Sequence, residues 1–530
     1  MKYLIRGGKV IDGSGKPAFT ADVAIDGAVI SEVGGRLDPA GRVVIDADGL
    51  VVSPGFIDIH THSDRTIFDN PLGDSKVMQG VTTEVTCNCG IGPFPVSKAR
   101  RAELEAYLST ERGSLPSDGI IWEDFSGFAA AVENIRPGIN LAMLVAHGAL
   151  RIAAMGSEDR EPTSEELAVM ERMLDASLAQ GAWGMSTGMI YPPGSFARTA
   201  ELITLSKILA RHQALYSTHV RNESGKLLEA IDEAILLALE SGVRVEISHL
   251  KAIGVPNWGS ALAALKRIEA ARKSGLDVWA DQYPYEASAT SLSALVPGWV
   301  HDGGVKMLVE RLGDAALRSR ILADIEKEMA VRGGPERVKI AALKSGRNAR
   351  WIGKTIGAIA EGMGLQAPDA VRQLLYEEAG AVSAIYFSLS QQDLEGIMVN
   401  PDVAIGSDGQ VMNAERDGKD SVHPRSYGTF ARVLGRYVRE QNLLPLETAV
   451  RKMTGLPAQT LRLRDRGIIA VGHKADIAIF DADAILDHAT FEQPHQYAAG
   501  VQHVLVNGTF AVKSEQITGF GRGEVLRKKG

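Results

Sequence analysis

Val51-Val52-Ser53-Pro54-Gly55-Phe56-Ile57-Asp58-Ile59-His60-Thr61-His62 is the stretch whose reading decides the fold. An apolar run bounded by Pro and Gly reads as a buried strand. In a strand, residues two apart share a face. A His-x-His pair closing such a strand therefore aims His60 and His62 at one point. Converging imidazoles repel when both are protonated, and a cation held between them is the simplest explanation of the pair.

Further apolar β runs follow at Thr82–Cys89, Leu141–His147, Ala182–Thr187, Ala214–His219, Val243–His249, Asp277–Tyr283 and Val403–Ser407. With Ser53–His60 they make eight. Helical patterns lie between several of them, as at Ser164–Gln180, Glu201–Arg211, Lys226–Ser241 and Ser260–Ser274. Ser164, with Glu166 just beyond it, reads as a helix start and Gly181 as its stop. Eight strands with crossover helices are the count of an α/β fold of (β/α)8 barrel type.

The two ends have a different texture. Short strands separated by Gly, Asp and Asn fill the first fifty residues, and the same style returns at Ala475–Phe480 and Val504–Gly508. Neither end has enough strands to bury a face alone, so the two are expected to combine into one small β-sandwich. The expected organisation is a β-domain from residues 1–53 plus 470–530 and a barrel over 54–469. The Lys/Glu-rich stretch at 286–348 reads as an insertion or lid within the barrel.

Composition narrows the function. The chain has 530 residues, more than one ordinary domain, and a formal net charge of −8. That balance argues against a nucleic-acid surface, which needs a basic patch. No run approaches the ~20 apolar residues of a membrane span, and the first residues do not read as a signal peptide. Only Cys87 and Cys89 occur, too close for a structural disulfide. A cytoplasmic protein acting on a small molecule is the expectation; nothing in the sequence sets its oligomeric state.

Candidate ligands collect at the C-terminal ends of the strands, where barrels build their sites. His60 and His62 end the first, Cys89 the second, His219 and His249 two later ones, and Asp408 follows the last. Thiolate with imidazole and carboxylate suits Zn2+ better than magnesium or calcium, which prefer all-oxygen cages. Cys89, His219 and His249 would fill three positions and leave one open, the mark of a catalytic site. Asp408 is then placed to take a proton from an attacking water and hand it to a leaving nitrogen. Cys87 is expected to face away from Cys89 as a small core residue, although it is the alternative ligand. His147, also at a strand end, is read as orienting substrate or a ligand, or as structural. Tyr191, Lys251, Tyr283 and Arg425 form a candidate clamp for a carboxylate. His423 is read as having no such placement.

Several motifs together resemble the amidohydrolase superfamily, and within it the D-aminoacylases (N-acyl-D-amino-acid deacylases). They are Pro54–His62, Gly80-Val81-Thr82-Thr83 leading to Asn88-Cys89-Gly90, and Gly181–Gly188. Ser248-His249-Leu250-Lys251, Ser407-Asp408-Gly409 and His423-Pro424-Arg425 complete the set. The resemblance covers nearly the whole chain. It implies zinc-dependent hydrolysis of the amide of N-acyl-D-amino acids, with D-terminal dipeptides as a further candidate substrate. By it, Cys89, His219 and His249 hold a tight zinc, while His60 and His62 share a second, weaker position with Cys89 and Asp408. Asp408 is the catalytic acid/base, and Tyr191, Lys251, Tyr283 and Arg425 contact the substrate carboxylate. Thr86-Cys87 before Asn88 departs from the smaller apolar pair more usual there.

Two rivals remain at this level. Cyclic-amide hydrolases of dihydroorotase or hydantoinase type bridge two metals with a carboxylated lysine, but Ser186 stands where that lysine would be. A non-catalytic amidohydrolase-like scaffold would be expected to have lost ligands, and here all are present.

Overall fold

The structure is a computed structural model describing residues 1–529 except 111, 112, 114 and 117. Eight parallel strands form the barrel: Phe56–Asp58, Val81–Thr86, Asn140–Ala146, Gly184–Gly188, Leu215–His219, Arg244–Ile247, Val278–Gln282 and Val403–Ile405. Each is hydrogen-bonded to the next in chain order. They coincide with the eight runs read from the sequence to within a few residues, except that the first run is split: Ser53 and Pro54 belong to a strand of the other sheet, and the barrel strand begins at Phe56. The third strand is buried along its whole length, so it carries no polar alternation, as a sheet covered on both faces requires.

Between the first and eighth strands, closure comes just beyond the strand ends. Asp408 N donates to His60 O and His62 N donates to Gly409 O, each at 2.8 Å. Beneath them Lys76 Nζ lies 2.7 Å from both Asp58 Oδ2 and Ser407 Oγ and 3.0 Å from Glu84 Oε1. One buried ammonium thus ties the first, second and eighth strands. Burial works against its charge, but Asp58 and Glu84 outweigh that and hold its pKa above the ordinary value.

The connecting helices carry their own start signals. In the helix Ser164–Ala179, Thr163 rather than Ser164 is the cap. Its Oγ1 accepts from Glu166 N at 3.2 Å while Glu166 Oε2 accepts from Thr163 N at 2.8 Å. This reciprocal pair satisfies two otherwise orphaned donors.

The small β-domain is a single nine-stranded sheet built from both ends of the chain. The seam is Val51–Pro54 running antiparallel to Ile477–Phe480, with Val52 opposite Ile479. The sheet folds around its own core, which takes Ile5, Val23 and Val52 from one end and Ile477, Ile479 and Leu505 from the other. The last strand departs from the expected organisation: Val525–Leu526 pairs with Leu141 and Ala142 of the third barrel strand.

The inserted unit is longer than the 286–348 read from the sequence. A three-stranded sheet of Ser288–Ser291, Val338–Leu343 and Val382–Tyr386 holds it together. Its separate core runs from Leu292 to Tyr386. Val382–Tyr386 lies far along the chain from the 286–348 stretch, and only its pairing with Ser288–Ser291 and Val338–Leu343 assigns it to the insertion. Among the described residues, no helix is long and apolar enough to cross a membrane.

Candidate metal centre

Past Thr86 the second strand breaks into a turn. Cys87 and Cys89 both adopt left-handed backbone there, with φ of 62° and 54°. Two residues two apart on a regular strand would share a face, so it is this turn that separates the thiols. Cys87 packs into the barrel core. Cys89 Sγ lies 3.3 Å from His60 Nε2 and 3.5 Å from His249 Nε2. Ser186 Oγ pins the turn, donating to Cys87 O and accepting from Gly90 N. His249 and Asp408 are also left-handed, with φ of 38° and 50°. Such backbone costs about 1–3 kcal/mol per residue and collects where function demands it.

Two groups of potential ligands close within 4.8 Å: His60, Cys89, His249 and Asp408, and His219, Glu223 and His249. His249 belongs to both. The trio of Cys89, His219 and His249 is therefore joined through His249 rather than gathered as one group. The His219 and His249 rings stand 4.4 Å apart between centroids, and His60 and His249 4.9 Å. His62 joins the first group through Asp408, its Nε2 being 3.0 Å from Asp408 Oδ1. Residues scattered from 60 to 408 thus meet at the C-terminal mouth of the barrel.

Around these groups stands a layer of partners that the sequence reading missed. His60 Nδ1 bonds Asp281 Oδ2 at 3.0 Å, which leaves Nε2 to face Cys89 and Asp408. Asp281 also accepts from His249 N at 3.0 Å. Burial pushes its carboxyl up to about 7. The neighbouring Glu246 carboxyl is also raised, well above the ordinary range, by burial and by Asp281. Glu223 sits between His219, at 3.3 Å, and Lys251, at 2.5 Å, and 3.2 Å from His249 Nδ1. Burial opposes its charge, but His219, Lys251 and His249 outweigh burial and hold its carboxyl well below the usual range. The signal for Asp281 was its place in a strand whose neighbours all carry ligands. Glu223, in a turn four residues after His219, gave none.

Asp408 is held between charges. Arg425 Nη1 donates to Asp408 Oδ2 at 2.7 Å. Burial would raise this carboxyl, yet Arg425, His62 and His249 bring it well below the ordinary value. It stays an acceptor at neutral pH.

Four residues were read as a carboxylate clamp. Tyr191 and Arg425 line a cavity of about 110 Å3 together with His62, Cys89 and Asp408. Tyr283 and Lys251 line a smaller one of about 20 Å3 beside His249. Arg425 and Lys251 both lie near the Tyr283 ring, at 5.1 and 5.7 Å from its centroid. The Tyr283 hydroxyl is buried without a hydrogen bond. Lys251 turns towards Glu223 and to His249 Nδ1 at 2.8 Å. His147 is buried 2.8 Å from Glu201, which also binds Arg151. Those bonds hold the helix after the third strand. His423, dismissed on sequence, lines the larger cavity. Its Nε2 bonds Ala287 O at 2.9 Å and its Nδ1 accepts from Arg425 N at 3.1 Å.

The donors fit a zinc ion. His219 Nδ1 is buried without a hydrogen bond, a position a metal ion would satisfy, and Nε2 has only the 3.3 Å approach of Glu223. The Cys89 thiol has its pKa raised well above the ordinary value, first by burial and then by Asp408. A thiol kept protonated in this way needs a cation to become a thiolate ligand.

Residues 43–512 match the model of a family described as the amidohydrolase family, and the chain belongs to it. It is 38% identical over 531 residues to an N-acyl-D-glutamate deacylase of Alcaligenes xylosoxydans xylosoxydans, covering 100% of this chain and 97% of that one. To a D-aminoacylase of the same organism it is 37% identical over 526 residues, covering 99% and 97%. It also superposes on the crystal structure of N-acyl-D-glutamate deacylase from Bordetella bronchiseptica, complexed with zinc and a phosphonate that mimics the tetrahedral intermediate. There the identity is 33%, the TM-score 0.83 and the coverage 99% of each chain.

Proposed function

We propose that this chain is a zinc-dependent deacylase of N-acyl-D-amino acids, releasing a carboxylate and a free D-amino acid. One observation carries the reading: Cys89, His60, His249 and Asp408 converge, and two of them, Cys89 and Asp408, line a cavity together with Arg425. The D preference follows the relatives, since residue types alone do not set stereochemistry.

Cys89, His219 and His249 would hold the tighter ion, and His60, His62, Cys89 and Asp408 would serve a weaker second position. When bound, zinc supplies Lewis acidity that activates water and polarises the scissile carbonyl. Asp408 removes the proton from the attacking water as its oxygen bonds to the carbonyl carbon. The carbon–nitrogen bond then breaks, and Asp408 returns the proton to the departing nitrogen. Arg425 keeps Asp408 ionised and presents its guanidinium to the substrate carboxylate. The hydroxyls of Tyr191 and Tyr283 would serve as further donors to it. Asp281 and Glu223 hold the His60 and His249 rings in orientation.

A cyclic-amide hydrolase is disfavoured because Ser186 ties the Cys87–Gly90 turn where that chemistry would place a bridging lysine. The free thiols support a reducing, cytoplasmic setting.

The test is a hydrolysis panel of N-acetyl-D- and L-amino acids and D-terminal dipeptides, with zinc quantified in the same preparation. Turnover of the D compounds, lost on chelation and restored by zinc, is expected. Metal-free protein without turnover would point instead to a binding scaffold.

A further inference from the structure

The relatives of this chain carry different selectivities in their names, one for D-glutamate and one for D-amino acids generally. The cavity wall bears on which applies here. In a substrate held by Arg425, the carboxylate and the side chain share one carbon, so the side chain must lie within a few ångströms of that guanidinium. One side of the wall around it is small or apolar, while Tyr191, Thr290, Gln410 and Ser426 add neutral polar groups. Arg425 Nη2 donates to Ala289 O at 3.1 Å, and Ser421 N to Ala341 O at 2.8 Å, which brings Ala289, Ala341 and Val422 together. Ser383, Met412 and Ile91 continue the lining. Ala289, Ala341 and Ser383 all come from the three-stranded sheet of the inserted unit.

Among the described residues lining this cavity, Arg425 is the sole lysine or arginine. It already faces Asp408. His423 cannot supply a second positive charge, because its Nδ1 accepts the Arg425 N–H and so carries no proton. Arg65 and Lys344 line another cavity that shares only Ser383 with this one. Both are engaged elsewhere, by Leu108 O at 2.7 Å and Ser109 O at 3.3 Å. An acidic side chain entering the main cavity would lose water, meet Asp408 and find no cation of its own.

We propose that this enzyme selects N-acyl-D-amino acids with neutral, apolar side chains over acidic ones, the side chain resting on the wall that the inserted sheet and the 412–422 loop supply. The inference rests on the deacylase reading above and deepens it.

The experiment measures kcat/KM of the zinc-loaded enzyme for the N-acetyl derivatives of D-methionine, D-leucine, D-glutamate and D-aspartate. The neutral substrates are expected to lead by at least tenfold. Equal or better hydrolysis of an acidic substrate overturns the selectivity and leaves the deacylase reading standing. No hydrolysis of any of the four overturns both. Ser383→Arg places a cation on the half-buried wall and should move the glutamate-to-methionine ratio at least tenfold towards glutamate. An unchanged ratio in a folded, zinc-replete S383R protein would show that the side chain lies elsewhere.

Discussion

Replacing Asp408 by asparagine keeps the shape of the side chain and removes its basicity. The loss can be sized from the contacts. A positioned general base contributes roughly 10²–10⁴-fold, about 3–5 kcal/mol of barrier. The same carboxylate also accepts from Arg425 at 2.7 Å and faces His62 at 3.0 Å. An amide has one oxygen for these two partners, so one pairing weakens at a cost of about 1–3 kcal/mol. That is small beside a fold stability of roughly 5–15 kcal/mol, so D408N should remain folded. Cys89, His219 and His249 are untouched, so the tighter zinc should stay. The assay is kcat on N-acetyl-D-methionine, with zinc content and Tm measured on the same sample. A fall of about a thousandfold with zinc retained is expected. Turnover within tenfold of the parent, at equal zinc content, would remove Asp408 from the proton-transfer role.

The remaining predictions follow from burial and charge. Cys89→Ala should lose zinc and activity together, whereas Cys87→Ala should keep both, as elemental analysis of the two proteins would show; the reverse pattern exchanges their roles. Lys76→Met strands Asp58 and Glu84 as buried carboxylates without a cation, and should cost about 3–5 kcal/mol in denaturant unfolding; a neutral result would contradict the strand-tying role. Lys452 is fully buried, and burial first, then Arg451, lower its pKa to about 7. Between pH 10 and 7 the unfolded chain binds a proton at this site that the folded chain resists, so folding is penalised progressively as pH falls. Lys452→Met should therefore raise Tm at pH 7 by more than at pH 9.5; an equal effect at both values would show that the lysine is charged in the fold.

The barrel was legible because its strands are almost wholly buried and rich in apolar residues, and because histidine, cysteine or aspartate stands at or just beyond the C-terminal end of most of them. The same logic placed His60, His62, Cys89, His219, His249 and Asp408 around one mouth. What it could not supply was the lateral geometry. Glu223 reaches His219, His249 and Lys251 from a turn with no periodic pattern. His423 owes its place to a loop after Asp408 that returns along the inserted sheet. Cys87 and Cys89 separate through two left-handed residues, which no alternation rule foresees. The inserted unit was cut short because its last strand, Val382–Tyr386, joins it through pairing with distant segments that local pattern does not reveal.

The barrel and the inserted unit have separate hydrophobic cores, and with them a division of labour. The residues proposed for proton transfer and metal binding stand on the barrel, whose core does not include the residues 292–386 that brace the opposite wall. Exchanging that unit for a related one would therefore alter which molecules are admitted without disturbing the groups that cut them. A chimera made at its two junctions tests this as a route to redesign.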